Sequence, residues 1–385
     1  MHGYDALVIG GGPAGSTAAL LLARAGWSVA LVERVAFPRR KVCGEFLSAT
    51  NLPLLHDLGV RSVFEELAGP EVRRAGLFAA NHCITAEMPQ LAGHAHGWGR
   101  AIGREHLDTM LLDRAAAEGA EIWQPWNVVA LRDDGCTIVS AKTRQTTDLR
   151  ARFVIAAHGS WEPGQLPTQP QRRAARGSDL FGFKAHFLNC RLPPGLMPLL
   201  AFPGGYGGMV HSDQGRVSLS CCIRRDALQR IRRAGGPSAG EAVLAHMRAS
   251  CEGLRAALDG AVIEDEWRSA GPIRPGIRAT RRGGIFLAGN AAGEAHPAVA
   301  EGISMAMQSG WLLAGHLLAG TERAYGSEWR RMFSIRIHAA AAIAQWAMRP
   351  LAVRTVLPLL EAFPAVLTEG ARTAGKVTPI CSSSF

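Results

Sequence analysis

A glycine-rich turn between two apolar stretches is the feature that most constrains this chain. Residues 4–9 form a short apolar run typical of a buried strand, and a turn from Gly10 to Gly15 follows directly. In this spacing one glycine makes a tight turn, the next lets a phosphate approach the backbone, and the third lets a helix pack on the strand. A helix is predicted over residues 16–25 and a second buried strand over residues 28–32. The order strand, turn, helix, strand predicts a Rossmann-like α/β unit.

The residue that ends the second predicted strand narrows the ligand further. Glu33 lies 18 residues past Gly15. A carboxylate at that position accepts hydrogen bonds from ribose hydroxyls and disfavours a ribose 2′-phosphate. The free amide groups and the positive dipole at the start of the helix suit a diphosphate. These residues predict a dinucleotide with an unphosphorylated ribose, and they leave NAD and FAD both open.

Four later segments decide between the two cofactors. They read FPRRKVCGEFLS over residues 37–48, REHLDTML over 104–111, FVIAAHGS over 153–160, and IFLAGNAAG over 285–293 followed by Pro297 and EGI at 301–303. In this order they resemble the geranylgeranyl reductase-like flavoproteins of the p-hydroxybenzoate hydroxylase fold group. That group contains aromatic hydroxylases, prenyl reductases and flavin-dependent halogenases. The resemblance implies FAD as the cofactor.

The resemblance also implies where FAD is held. His158 and Asn290 stand where the family has aspartates, and the Asn290 amide oxygen can still accept a hydrogen bond from a ribityl hydroxyl. The start of the helix after the 285–293 segment is expected to face the flavin, so that its positive end stabilises the reduced ring. The expected FAD contacts are Gly10, Gly12, Pro13, Ala14, Gly15, Glu33, Arg34, Arg40, Lys41, Cys43, Arg104, Val128, Asn290, Pro297, Gly302 and Ile303.

The pattern changes after about residue 166, where αβ units give way to strand patterns. Strands are predicted over residues 181–187, 201–210, 216–223 and 262–267, and a one-faced alternation marks the first of them. The predicted fold is therefore α/β, with a Rossmann-like FAD-binding domain, an antiparallel β-sheet substrate domain and C-terminal helices. The FAD-binding domain takes residues 1–70, 100–165 and 271–342, the substrate domain 71–99 and 166–270, and the helical segment 343–385. Three prolines interrupt that last segment. A membrane-surface anchor is one interpretation of it, but an amphipathic helix that caps the domain is the more usual outcome and is favoured.

The resemblance implies an oxidoreductase and leaves its reaction open. The favoured hypothesis is a monooxygenase. In such an enzyme, reduced flavin and oxygen form a hydroperoxide that hydroxylates the substrate, here an apolar or aromatic small molecule of secondary metabolism. The alternatives are a geranylgeranyl reductase-like enzyme acting on carbon–carbon bonds, a halogenase, and a flavoprotein without turnover. Halogenases of the group carry a tryptophan-rich motif and a lysine near the substrate, and no such tryptophan cluster is present. The candidate catalytic residues are His296, Tyr206 and His211.

The charge and the cysteine content limit the classes of partner and ligand that this chain is expected to bind. The net charge is +10, and only four of the 42 basic residues are lysines, but the arginines are scattered and lack interleaved aromatic residues. We therefore expect no nucleic-acid partner. The eight cysteines show no paired ligand spacing, so no metal site is predicted, and reduced thiols with no visible signal peptide indicate a cytoplasmic protein. No integral membrane segment is expected. A second glycine-rich motif is absent, so NAD(P)H is expected to bind transiently, or an external flavin reductase supplies the electrons.

Overall fold

A computed structural model describes residues 2–93, 96–160, 164–171, 173–233 and 238–374. The α-helices are α1 Pro13–Arg24, α2 Leu52–Asp57, α3 Arg61–Leu67, α4 Arg104–Ala117, α5 Arg225–Arg233, α6 Ala239–Ser250, α7 Glu252–Ala257, α8 Gly302–Leu318, α9 Tyr325–Ala347, α10 Pro350–Ala362 and α11 Ala365–Thr373. The strands are β1 His2–Ile9, β2 Val29–Val32, β3 Phe46–Leu47, β4 Arg74–Ala79, β5 His82–Glu87, β6 Arg100–Ala101, β7 Glu121–Trp123, β8 Trp126–Arg132, β9 Gly135–Ser140, β10 Thr146–Ala156, β11 Leu180–Leu188, β12 Leu196–Phe202, β13 Gly205–His211, β14 Val217–Arg224, β15 Val262–Ile263, β16 Arg268–Ile273, β17 Gly276–Ile277, β18 Arg281–Arg282, β19 Ile285–Leu287 and β20 Gly293–Glu294.

The first sheet has the strand order β18-β19-β10-β1-β2-β7, with β8 and β9 attached to β10. Strand β1 lies at its centre and pairs in parallel with β2 and β10. The side chains of Leu7 and Val8 are fully buried because helices cover both faces of a parallel sheet. Helix α1 packs between this sheet and α8. The predicted Rossmann-like unit is thereby confirmed, with the predicted strands and helix within a few residues of the observed ones.

The second sheet has the order β15-β11-β14-β13-β12-β4-β5, with β16 also paired to β11. Its pairs are antiparallel except for β4 and β12, which run parallel. The single strand predicted over residues 201–210 is wrong, because Pro203 and Gly204 turn the chain between β12 and β13, and Gly204 has a φ of +79°. The strand predicted over 262–267 is also wrong beyond Ile263. Helices α5, α6 and α7 were not predicted, and they cover one face of this sheet.

The predicted domain boundaries stay a prediction, and every strand falls on one side of them except β16, which spans the boundary at residue 270. Strands β4 and β5 join the second sheet, as do all strands from β11 to β16. The strands β1, β2, β7 to β10, β18 and β19 form the first sheet.

The C-terminal helices cover the other face of the second sheet. Val353, Leu357 and Leu360 of α10 are buried in a cluster that includes Tyr206. Pro350 begins α10, Pro358 lies inside it, and Pro364 directly precedes α11. Among the described residues, no single helix has the length and apolar composition needed to cross a membrane, and α10 with α11 meets that test only when the two are joined across a bend of 113°.

Candidate flavin and substrate site

One large cavity, of about 770 Å³, lies between the two sheets and the C-terminal helices. One end is formed by the glycine-rich turn and the carboxyl ends of β1 and β2, where ligands of open α/β sheets bind. The other end lies between β13 and helices α10 and α11. We call the first end the cofactor cradle, because such a turn and strand ends are where nucleotides bind. We call the second end the apolar compartment, because it suits an apolar molecule.

Most of the predicted cofactor residues come together in this cavity. Gly15 and Arg40 are outside its lining, and their roles are described below. The roles of the others as FAD contacts stay a prediction. Those that line the cavity are Gly10, Gly12, Pro13, Ala14, Glu33, Arg34, Lys41, Cys43, Arg104, Val128, Asn290, Pro297, Gly302 and Ile303.

The glycine-rich turn leaves room for a diphosphate. Gly12 is the N-cap of α1, and a Cβ atom placed on it would meet only the Arg104 Nη2 atom, at 3.8 Å. Glu33 fixes the turn from the other side, since its carboxylate accepts hydrogen bonds from the amides of Gly11 at 2.8 Å and Val35 at 2.9 Å. Each carboxylate oxygen has a further lone pair, so Glu33 can still accept from a ribose hydroxyl.

A group of cations faces this end of the cavity. Arg34, Arg39, Lys41 and Arg104 all contribute to its lining. The Arg104 guanidinium makes two hydrogen bonds of 2.7 Å to the fully buried Asp108 carboxylate, which fixes its position. The Nε atom of Arg39 is buried and makes no hydrogen bond to any described residue. A buried donor without an acceptor, beside a helix N-terminus and three further cations, fits a diphosphate.

Arg40 was predicted beside the cofactor, and it does not line the cavity. Its guanidinium is 3.0 Å from the Glu105 carboxylate and also pairs with Glu264 and Asp265. Its neighbour Arg39 lines the cavity in its place. The two residues are adjacent and chemically identical, so the sequence offered no signal that could separate them.

The segment before α8 forms a second wall of the cradle. The Asn290 amide nitrogen donates to the Glu294 carboxylate at 3.2 Å, which leaves the Asn290 oxygen as the acceptor for a ribityl hydroxyl. Pro297 begins a short turn, Ala300 adopts a left-handed φ of +51°, and α8 then starts at Gly302. This geometry brings the N-terminus of α8 to the cavity. Its predicted position facing the flavin ring stays a prediction.

Two of the three predicted catalytic residues meet. The Tyr206 hydroxyl oxygen lies 3.1 Å from the Nδ1 atom of His296. Tyr206 lines the cavity and is 1% exposed, and burial raises its pKa well above the ordinary value. Burial lowers the pKa of His296 to about 4. Neither His296 nor His211 lines the cavity. His211 is not part of this arrangement, because its Nε2 atom is 2.7 Å from the carbonyl oxygen of Leu192.

The far end of the cavity is apolar. Its lining there comes from β4, β12 and β13 on one side and from α9, α10 and α11 on the other. Gly208 lies between Tyr206 and Val210 on β13, and a Cβ atom placed on it would touch only the Pro198 carbonyl oxygen, at 3.4 Å. The side chains that line this end include Leu77, Met197, Leu199, Val210, Trp346, Val356, Leu360 and Leu367.

A buried charged group beside the cavity was missed by sequence reasoning. Glu45, which lines the cavity, pairs with Lys184 and accepts a hydrogen bond of 2.9 Å from His186. All three side chains are at most 1% exposed. The nearby Lys184 and His186 hold the pKa of the Glu45 carboxyl well below its usual range, against the effect of burial. Glu45 has a left-handed φ of +64°, and this conformation in a non-glycine residue has no sequence signature.

Two further groups have the residue types of metal ligands. One consists of Glu105, His106 and Asp213 and the other of His186, Glu264 and Asp265. Arg216 lies 2.6 Å from both Glu105 and Asp213, and Arg40 pairs with Glu264 and Asp265. A guanidinium therefore already neutralises the carboxylates of each group.

Two curated relatives show the range of activities around this chain. A digeranylgeranylglycerophospholipid reductase of Picrophilus torridus is 34% identical over 166 residues, which is 40% of this chain and 39% of the relative. A menaquinone reductase of Mycolicibacterium smegmatis is 27% identical over 349 residues, which is 84% of this chain and 79% of the relative.

Solved structures share the fold across the chain. The myxobacterial chondrochloren halogenase superposes with a TM-score of 0.75 at 22% identity, covering 96% of this chain and 91% of its own. A probable FAD-dependent monooxygenase from Pseudomonas aeruginosa superposes with a TM-score of 0.68 at 17% identity, covering 95% and 100%. The family model for the FAD binding domain matches residues 3–330. This chain therefore belongs to the FAD binding domain family of flavin-dependent oxidoreductases, and FAD is its cofactor.

Proposed function

We propose that this chain is a flavin-dependent monooxygenase that hydroxylates an apolar or aromatic small molecule, with electrons from NAD(P)H. The observation that carries the proposal is the Tyr206–His296 pair, in which Tyr206 lines the cavity and its hydroxyl oxygen lies 3.1 Å from the Nδ1 atom of His296. Bound FAD supplies the activation of oxygen. The chain supplies a water-poor compartment and one polar pair that can orient a substrate hydroxyl.

The protonation states of the pair favour hydroxylation over reduction. The pKa of His296 is about 4, so its imidazole is neutral at pH 7 and can accept a hydrogen bond from the Tyr206 hydroxyl. The Tyr206 oxygen can then accept one from a phenolic substrate, which pushes electron density into the ring. A reductase needs instead a group that delivers a proton to carbon, and the raised pKa of Tyr206 makes it a weak proton donor.

Reduction of a carbon–carbon bond is the second candidate, and the relatedness to a menaquinone reductase over most of the chain favours it. Halogenation has less support in the site. Lys41 lies at the cradle end of the cavity, Lys184 is paired with Glu45, and Lys142 is exposed between β9 and β10. No lysine among the described residues therefore lines the apolar end of the cavity.

Oxygen labelling separates the three reactions. The holoprotein is supplied with NADH or NADPH, ¹⁸O₂, bromide and a panel of phenols and quinones, and products are analysed by mass spectrometry. We expect a product that gains one ¹⁸O atom while oxygen uptake equals product formation. A product that gains two hydrogens and also forms without oxygen would identify a reductase, and a brominated product a halogenase. If flavin is reduced only when a separate flavin reductase is added, the direct role of NAD(P)H is wrong.

Tyr206→Phe is expected to lower kcat for hydroxylation about 100-fold, because the substrate hydroxyl loses its hydrogen-bond partner. The rate at which NAD(P)H reduces the bound flavin should stay unchanged, since that step does not use Tyr206. Stopped-flow absorbance and product assays measure the two rates separately. His211→Ala is the matched control, because His211 does not line the cavity. Equal losses in both rates would contradict the assigned role of Tyr206.

Lys41 is expected to make FAD affinity depend on pH. Burial, with the nearby Arg104 and Arg39, lowers the pKa of Lys41 from 10.5 to about 8. A diphosphate favours the charged form and raises that pKa, so binding takes up a proton above pH 8. The affinity of the apoprotein should therefore be constant below pH 8 and fall by up to about tenfold per pH unit above it. Titration of FAD fluorescence measures this slope, which should vanish in Lys41→Met and persist in Lys142→Met.

A further inference from the structure

Helices α10 and α11 and the turn between them expose apolar side chains to solvent. Leu351 is 78% exposed, Leu359 53%, Phe363 61% and Val366 46%. We call these four residues the outer apolar face. On α10 the opposite side carries the buried residues of the core cluster. A helix that caps a water-soluble domain normally has polar residues on its outer side. This helix pair differs, because it carries apolar residues on both its inner and its outer side.

The outer apolar face is continuous with the substrate end of the cavity. Val356 and Leu360 of α10 and Leu367 of α11 line the cavity from within. Val366 both lines the cavity and belongs to the outer apolar face. The wall that separates the apolar compartment from the outside is therefore one helix thick, and it is apolar on each side.

Two positively charged residues beside this face have no ion-pair partner among the described residues. Arg349 and Arg354 are exposed, and their side chains make no ion pair with a described residue. Of the acids on the same two helices, Glu369 lies 3.3 Å from Arg372, and Glu361 has the His82 imidazole as its partner, which balances the Glu361 charge only when it is protonated. An exposed apolar helix face with unpaired arginines complements the surface of an anionic bilayer.

We propose that the outer apolar face docks this protein on an anionic lipid surface. Phe363 and Leu359 would enter the boundary between headgroups and acyl chains, while Arg349 and Arg354 contact lipid phosphates. A second copy of the chain fits less well. A two-fold dimer through this face would bring the unpaired arginines of both copies together, whereas the carboxylates of the same helices already have partners. The proposal concerns the surface and does not depend on which reaction the site performs.

Vesicle sedimentation tests the proposal with the holoprotein. The probes are vesicles of phosphatidylcholine alone and vesicles in which a third of the lipid is phosphatidylglycerol. We expect several-fold more protein on the anionic vesicles at low salt, and less as salt is added. The double variant Leu359→Ser with Phe363→Ser should reduce partitioning by about tenfold or more, because two large apolar side chains are lost. Arg349→Gln and Arg354→Gln should each reduce binding to the anionic vesicles by about fivefold.

The matched control is Val129→Ser with Val262→Ser, since these residues are 53% and 57% exposed and lie outside the two helices. The control should bind vesicles as the parent does. Flavin absorbance and thermal unfolding show that each variant is folded, and the arginine variants give a test that does not alter the apolar side chains. Absence of binding to the anionic vesicles, or equal binding by the serine variants, would overturn the proposal. A dimer in solution that the double serine variant converts to a monomer would also overturn it, because a second copy would then cover the face.

Discussion

The Gly15→Ala variant is expected to weaken FAD affinity by at least about 100-fold, so that the purified protein no longer carries bound flavin. A Cβ atom at this position would lie 1.9 Å from the carbonyl oxygen of Gly10 and 3.2 Å from the Cβ atom of Ala157. Both neighbours belong to the central strands or their ends, which cannot move away easily in a close-packed core. Helix α1 must therefore shift, and this shift moves Gly12 and Pro13 at its N-terminus away from the positions that they hold in the parent protein.

Gly15 does not line the cavity, so this effect would act only through the approach of helix to strand. Gly3→Ala in strand β1 is the matched control, since a Cβ atom there meets nothing within 4 Å. Titration of the apoproteins with FAD gives the affinities, and circular dichroism of the apoproteins reports whether the fold is kept. A Gly15→Ala protein that binds FAD within threefold of the parent would show that α1 can accommodate the methyl group.

Gly310 provides an independent check on the same geometry from the other side of α1. A Cβ atom at Gly310 in α8 would lie 2.2 Å from the carbonyl oxygen of Ala14. Gly15 was predicted from its place in a local motif, whereas Gly310 lies in an ordinary helical sequence nearly three hundred residues away. The sequence predicts a close approach only where a short motif encodes it.

The same distinction explains what the sequence predicted in the fold. The first unit is encoded by local signals, and the helix expected after the 285–293 segment is present as α8, Gly302–Leu318. The hairpin between β12 and β13 also had a signal, since Pro203 and Gly204 form a turn pair inside the stretch taken as one strand.

The candidate site depended more on contacts between distant residues. The contact between Tyr206 and His296 joins residues 90 positions apart. Both were predicted as candidate catalytic residues, but no local pattern predicts that they lie side by side. Strand β11 shows where pattern alone fails. Lys184 and His186 alternate with apolar residues, which predicts an outward polar face. Both are 1% exposed because the segment around Glu45 covers that face, and no local pattern reports such a cover.

Lys184→Met is therefore expected to destabilise the protein by about 3–5 kcal/mol, since removing one partner leaves the buried Glu45 carboxylate without its main counter-charge. The double variant Lys184→Met with Glu45→Gln should recover a large part of that loss, because the uncompensated charge is gone and His186 retains a partner. Lys142→Met is the matched control at an exposed lysine and should change stability by less than about 0.5 kcal/mol. Chemical unfolding followed by tryptophan fluorescence measures all three.

The pH dependence of this effect tests its electrostatic origin. In the parent protein Lys184 and His186 hold the pKa of Glu45 below its ordinary value of 4.5, so the stability they provide is present above pH 4.5 and is lost as pH falls through the lower, folded-state pKa. In Lys184→Met the ionised Glu45 is a cost, and protonating it removes that cost. The stability difference between parent and Lys184→Met should therefore shrink as the pH is lowered from 7 towards 4.5. A difference that stays constant over this range would mean that Lys184 contributes through packing of its aliphatic chain rather than through its charge.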